Sequence, residues 1–439
     1  MKNNRYRGAE TRRMPGTASV SLRAFAPLRQ ISILLLLTPC VLFAQGDNPL
    51  RTPERPFLGL AANHIVFKGD SSTWDGYHKK LDQLVFDGTG QLNIVHIGGS
   101  HVQADMWSME LRHRMQTMVP GVRAGRGFIF PYNMAKSNNP WWYNPEYTGD
   151  WTGLRNVVRT DSSTLGIAGI SATTHDTLTT LKISFRGEVY PGYTFDGVKV
   201  LHRMDSSYAV YAWCEDSTVN ITREVNKEGR FTAFNFDRPL DTLRLRFIRT
   251  DTNQRQFTLH GIILENKDPG IFLHASGVNG ASTANWLRCQ RFTEELAYLD
   301  PDLVIFSIGI NDAHDPDFNA ARYESNYREL IRRVRSANPE AAILLTTNTD
   351  SYMKRRYPNL NAEKVRDVML RLSASEGVGM WDTFGVMGGQ GSVRLWENAD
   401  LAKSDRIHMT REGYSLLGDL LFSAMMEKYG EHVKRSAKP

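Results

Sequence analysis

"GIFLHASGVNGASTANWLRCQRFTEELAYLDPDLVIFSIGIND", residues 270–312, decides the fold class. An apolar run, GIFLHAS, breaks off into small and polar residues, and a stretch with helical spacing follows. A second run, DLVIFSIG, ends the same way on Gly309-Ile310-Asn311-Asp312. Short continuous apolar runs between helices imply strands buried on both faces, hence a parallel sheet under helices. The alternation continues: YESNYRELIRRVRSA and AEKVRDVMLRLSASE read as helices, AAILLTT and VGMWDTF as strands. REGYSLLGDLLFSAMMEKYG closes the series as a helix. One matching unit stands far upstream, at about 91–118. There LNIVHIG leads into VQADMWSMELRHRMQTM, whose Met106, Met109, Leu111 and Met115 give an amphipathic spacing.

Between these parts, over roughly 157–266, helical spacing disappears. TLKISFRG, FDGVKVLHRM, YAVYAWC, TVNITREV, GRFTAFNFD, DTLRLRFIRT and QFTLHGIILEN alternate and are joined by Asp, Ser, Asn and Gly. Such spacing predicts an antiparallel β-sandwich that interrupts the α/β domain after its first β-α unit. The interval 121–153 is rich in Gly, Asn, Pro and aromatics without a clear period, and reads as a connector or a functional loop.

The chain has 439 residues, 41% hydrophobic content and a formal charge of +6. That charge does not imply a polyanionic partner, because it is concentrated at the front. Residues 1–44 carry seven of the 53 basic residues and one of the 47 acidic ones, leaving 46 of each. The same segment joins its basic front to the apolar run ISILLLLTPCVLFA, too short to span a bilayer comfortably. It is expected to be a secretory signal cleaved near Ala44. Export to the periplasm or the exterior follows, with association to the cell envelope and without stable membrane insertion. Beyond the leader stand Cys214 and Cys289, too few for a disulfide framework. Neither a metal nor a nucleotide cofactor is indicated, and no nucleic-acid partner.

Several polar turns remain to be explained. NIVHIGGSHVQAD (93–105) places Gly98-Gly99-Ser100-His101 after the first strand, and SGVNGAS (276–282) places Gly277 and Gly280 after the second. SIGINDAHD (307–315) gives Asn311, and DRIHMTREGY (405–414) gives Asp405 and His408 before the last helix. In an open parallel sheet, loops at the carboxyl ends of strands gather along one edge, where ligands bind.

This order resembles the SGNH (GDSL-type) hydrolases, whose four blocks contribute Ser, Gly, Asn and His. The resemblance covers about 91–120 and 270–430. It implies an α/β, flavodoxin-like parallel-sheet hydrolase domain interrupted by an antiparallel β-sandwich. The divisions expected are a signal peptide at 1–44, hydrolase segments at 45–135 and 268–439, and a carbohydrate-binding-like insert at 136–267. Ser100 matches the nucleophile, His408 the base and Asp405 its partner three residues before. Ser100, Gly280 and Asn311 match the oxyanion hole. A serine hydroxyl is a weak nucleophile at neutral pH, so a base must take its proton as it attacks a carbonyl. The separation of 308 positions between Ser100 and His408 shrinks, once the insert is removed, to that of one domain of about 200 residues.

The first block departs from the family pattern, with Gly99 where an Asp is usual. With its insert, the chain resembles the O-acetylesterases of peptidoglycan and other polysaccharides. A glycan or another acylated molecule is then the expected substrate, met by the flat faces of Trp141, Trp142, Tyr143 and Trp151, with His101 beside Ser100 either facing the substrate or standing behind the site. A non-catalytic glycan-binding protein on a hydrolase scaffold, and a lipase or thioesterase of the same fold, are the alternatives.

Overall fold

The computed structural model describes residues 55–159, 164–187 and 193–437; the expected signal peptide lies outside them. The main sheet runs, in spatial order, Ile65–Val66, Gly379–Trp381, Ala342–Thr346, Leu303–Ser307, Gln91–Gly98 and Gly270–Gly277. All neighbours pair in parallel except Ile65–Val66, an antiparallel edge. Numbered along the chain, the five parallel strands lie in the order 2-1-3-4-5, the flavodoxin-like winding. Its switch point falls between Gln91–Gly98 and Leu303–Ser307, the strands that lead to Ser100 and Asn311.

Both sheet faces are buried, which is why these strands read as unbroken apolar runs. Val304 and Phe306 enter one core with the helix Ala320–Ala337, whose Tyr323, Tyr327, Leu330, Ile331 and Val334 form its apolar stripe. Leu303 and Ile305 enter the other, with Leu417, Leu420 and Leu421 of the helix Arg411–Ser436. The two-residue period of a strand produces this division.

Two antiparallel sheets interrupt the winding. One has seven strands, including Phe195–His202, Phe231–Leu240 and Phe257–Glu265; the other has four, with Leu178–Phe185 and Thr242–Ile248 at its centre. Their inner faces share one core, where Phe247 stacks on Phe257 at 4.3 Å and Trp151 meets both edge-on. The chain enters and leaves this sandwich at one place: the Ala124 N–H donates to the Pro269 carbonyl, and Arg123 bridges Gly270. Adjacent entry and exit let the parallel sheet close as though the chain were continuous.

The connector is more regular than its composition suggests. Gly127–Ile129, Tyr143–Tyr147 and Thr152–Arg155 are strands of the two sheets. They are only three to five residues long, too short to show a two-residue period among Gly and Pro.

Candidate active site

The site begins with a backbone-on-backbone contact. A Cβ on Gly277 would lie 2.2 Å from the Gln103 nitrogen and 2.6 Å from the Gly99 carbonyl oxygen. Only glycine lets the second strand end so close to the first turn. Gly99 then caps the short helix Ser100–Gln103, and Ser100 emerges at the sheet edge. The unusual Gly99 has a physical correlate: a Cβ there would stand 3.3 Å from the Asn311 Nδ2. Glycine leaves this space to the carboxamide.

Residues from opposite ends of the chain meet here. Ser100 Oγ lies 2.8 Å from His408 Nε2, and His408 Nδ1 lies 2.8 Å from Asp405 Oδ2. The other Asp405 oxygen accepts the backbone N–H groups of Ile407 and His408, each at 2.9 Å. Burial alone would raise the Asp405 pKa, but the His408 and Ile407 hydrogen bonds outweigh it and hold the pKa below its usual value. The carboxylate is thus charged at neutral pH and aimed at the imidazole. Thr410 follows at once as the N-cap of the last helix, accepting from the Gly413 N–H, and so anchors the loop.

Gly280, at φ +82°, and Asn311 border the same cleft as Ser100 and His408. Asn311 Nδ2 donates to the Ala281 carbonyl at 3.0 Å, joining the second and third turns. Asp312 ties them again, accepting from the backbone and hydroxyl of Thr283. Burial pushes its pKa up to about 6 against those bonds. Asp312 therefore holds loops together and is bound away from the cleft's serine.

The cleft encloses about 680 Å³, with Trp141, Arg411 and Lys403 in its wall. A second cavity of about 770 Å³ adjoins it across Gly280, Asn311 and His314, and Arg159, Arg288 and Arg322 line it. Sequence reasoning missed His314, although it stands three residues after Asn311 in a block already singled out. Its Nε2 meets Ser351 Oγ at 3.0 Å, in a buried polar loop that no local pattern announces. Asn138 and Asn279 in the cleft wall were likewise missed, and they bond to each other.

The expected sugar-binding aromatics separate into two groups. Trp141 reaches the cleft, flanked by Arg186 at 4.8 Å and Arg411 at 5.6 Å from its ring centre. Trp142, Tyr143 and Trp151 do not; each is at most 5% exposed. Trp142 Nε1 donates to the Asp105 carbonyl, Tyr143 OH to the Phe130 carbonyl, and Trp151 packs on Phe247 and Phe257. Burying these rings in the core outweighs presenting them to solvent. His101 is also buried, at 5% exposure, stacked on His408 with centroids 5.4 Å apart and bonded to Tyr414 OH. Burial first, then His408, lowers its pKa to about 3. It is a neutral support behind His408 and not a substrate contact.

Cys214 and Cys289 are both free thiols. Among the described residues, no helix is long and apolar enough to cross a membrane.

Residues 258–416 match the model of the GDSL-like lipase/acylhydrolase family. That span holds Gly280, Asn311, Asp405 and His408, while Ser100 lies on the far side of the sandwich. No curated protein matches the chain. Among solved structures, a peptidoglycan O-acetylesterase aligns with TM-score 0.69 at 22% identity, over 84% of this chain and 99% of that one. An acetyl xylan esterase aligns with TM-score 0.29 at 19% identity, over 35% of this chain and 81% of that one. A lipase/acylhydrolase from Enterococcus faecalis gives 0.29 at 22%, over 37% and 77%. Residues 258–416 are thus similar to the GDSL-like lipase/acylhydrolases, and the chain as a whole shares the fold of that O-acetylesterase, an α/β domain interrupted by a β-sandwich.

Proposed function

We propose that this chain is an exported O-acetylesterase acting on a glycan of the cell envelope or its surroundings, with Ser100 as nucleophile. The observation that carries this reading is the hydrogen-bonded series Ser100–His408–Asp405 opening on a cleft walled by Trp141 and Arg411. As Ser100 Oγ attacks the acetyl carbonyl, His408 Nε2 takes its proton and Asp405 stabilises the resulting imidazolium. The Ser100 and Gly280 amides and the Asn311 carboxamide receive the negative charge that develops on the carbonyl oxygen. His408 then protonates the departing sugar oxygen. Water, activated by the same imidazole, releases acetate from the acyl-serine. The similarity to a peptidoglycan O-acetylesterase across nearly all of that protein's length supports a polymeric acetylated glycan as substrate, and the leader supports export. The test is acetate release from O-acetylated peptidoglycan and other O-acetylated polysaccharides, beside aryl esters of increasing acyl length. Preference for acetyl esters on the polymer is expected. Preference for long acyl chains would identify a lipase, and binding without turnover a glycan-binding protein.

Asn311→Ala is expected to lower kcat about 10²–10³-fold with little change in KM, because the carboxamide binds charge present only in the transition state. Steady-state kinetics on an aryl acetate check this; a change confined to KM would make Asn311 a ground-state contact. Trp141→Ala is expected to slow turnover of the polymer roughly tenfold, a change of about 1.4 kcal/mol, and to spare the aryl acetate, which is too small to use a remote contact with the ring. Trp142→Ala supplies the contrast. It empties a buried site and should lower stability by roughly 3–5 kcal/mol, impairing both substrates together. Comparing both rates with the melting temperature separates the two outcomes.

A further inference from the structure

Away from the cleft, the helix Asp75–Asp82 packs against the last helix, Arg411–Ser436. Asp75 and His78 stand three residues apart and share one helix face, and His432 approaches them from the last helix. One ligand atom from each of these three residues lies within 4.8 Å of the other two. His78 is 1% exposed, and neither of its ring nitrogens has a hydrogen-bond partner among the described residues. Its ring is enclosed by Trp74, Tyr77, Tyr429 and His432. A buried imidazole with both nitrogens unpaired is costly and calls for an explanation.

The neighbouring contacts suit a metal ligand. His432 Nε2 lies 2.9 Å from Asp82 Oδ2, and Asp82 Oδ1 accepts from Tyr429 OH at 2.7 Å. A carboxylate on one imidazole nitrogen makes that nitrogen the donor and leaves the other a lone pair for a cation. Lys428 and Arg435 stand near enough to act on His78 electrostatically, and Asp75 acts in the opposite sense.

We propose that Asp75, His78 and His432 bind one divalent transition-metal ion of the zinc type. Two imidazoles and a carboxylate, with water as fourth ligand, form a common tetrahedral zinc set, whereas calcium and magnesium take oxygen ligands. Lys428 and Arg435 oppose a cation. Arg435, however, is 60% exposed and holds Asp75 through a single 3.2 Å contact, so it can turn to solvent. His432 lies 21 residues along the helix that begins at Arg411, roughly 30 Å from the cleft at 1.5 Å per residue. The ion therefore clips the first helix to the last and takes no part in ester hydrolysis, so this inference stands apart from the substrate reading.

The test uses the metal-stripped full chain. Zinc is titrated against a chromophoric chelator, and cobalt is added to read coordination from its visible absorption. The wild type should take up one equivalent, give a tetrahedral cobalt spectrum and melt higher with zinc, with kcat on an aryl acetate unchanged. Asp75→Asn, at a partly exposed position where the fold is not at risk, should weaken uptake at least tenfold, as should His432→Gln. Each should also abolish the rise in melting temperature. No stoichiometric uptake by the folded wild type would overturn the site, and so would uptake that both variants leave unchanged.

Discussion

Ser100→Ala will remain folded and lose about 10⁴–10⁶ in kcat on an aryl acetate, leaving only the activity that binding and the oxyanion donors supply. The change removes a single oxygen. Alanine keeps the Cβ that the turn already accommodates, and the turn's shape rests on Gly277 against the Gln103 and Gly99 backbones, which the substitution does not touch. The lost oxygen is the one 2.8 Å from His408 Nε2, and no other hydroxyl is bonded to that nitrogen among the described residues. Circular dichroism should be unchanged. Near-wild-type turnover in the folded variant would remove Ser100 from the mechanism.

Asp405→Asn should cost roughly 10⁴ in kcat at neutral pH, the scale expected when the orienting carboxylate of such a triad becomes an amide. An asparagine can still accept the Ile407 and His408 backbone N–H groups through its oxygen, so the loop is retained. Its NH₂ then faces His408 Nδ1, and two donors cannot share one hydrogen. The imidazole must carry its proton on Nε2, where Ser100 needs an acceptor. The loss should therefore appear in kcat with little change in KM or melting temperature. If kcat stays within tenfold of wild type, another group orients His408.

The parallel sheet and the order of the active-site turns were legible because their physics is local. A strand buried on both faces must be apolar throughout, and a turn at its end needs small residues where backbones meet, as Gly277 and Gly99 do. The β-sandwich was legible from its change of period. Trp142, Tyr143 and Trp151 were not, because nothing near them in sequence distinguishes a ring facing water from one facing a core. Their partners are remote: the Asp105 carbonyl for Trp142, Phe247 and Phe257 for Trp151. Which of its two expected positions His101 takes was illegible for the same reason, since its neighbours His408 and Tyr414 lie more than 300 positions away. The clustering of Asp75, His78 and His432 was equally invisible, since it depends on the first and last helices packing together.

The most direct test of Ser100 as an activated nucleophile is covalent capture by a fluorophosphonate, read by intact mass and peptide mapping. The predicted result is one adduct per chain on the peptide containing Ser100, formed in parallel with loss of esterase activity and absent from Ser100→Ala. Complete inactivation with the adduct on a different serine, or an active enzyme that takes up no adduct, would contradict it.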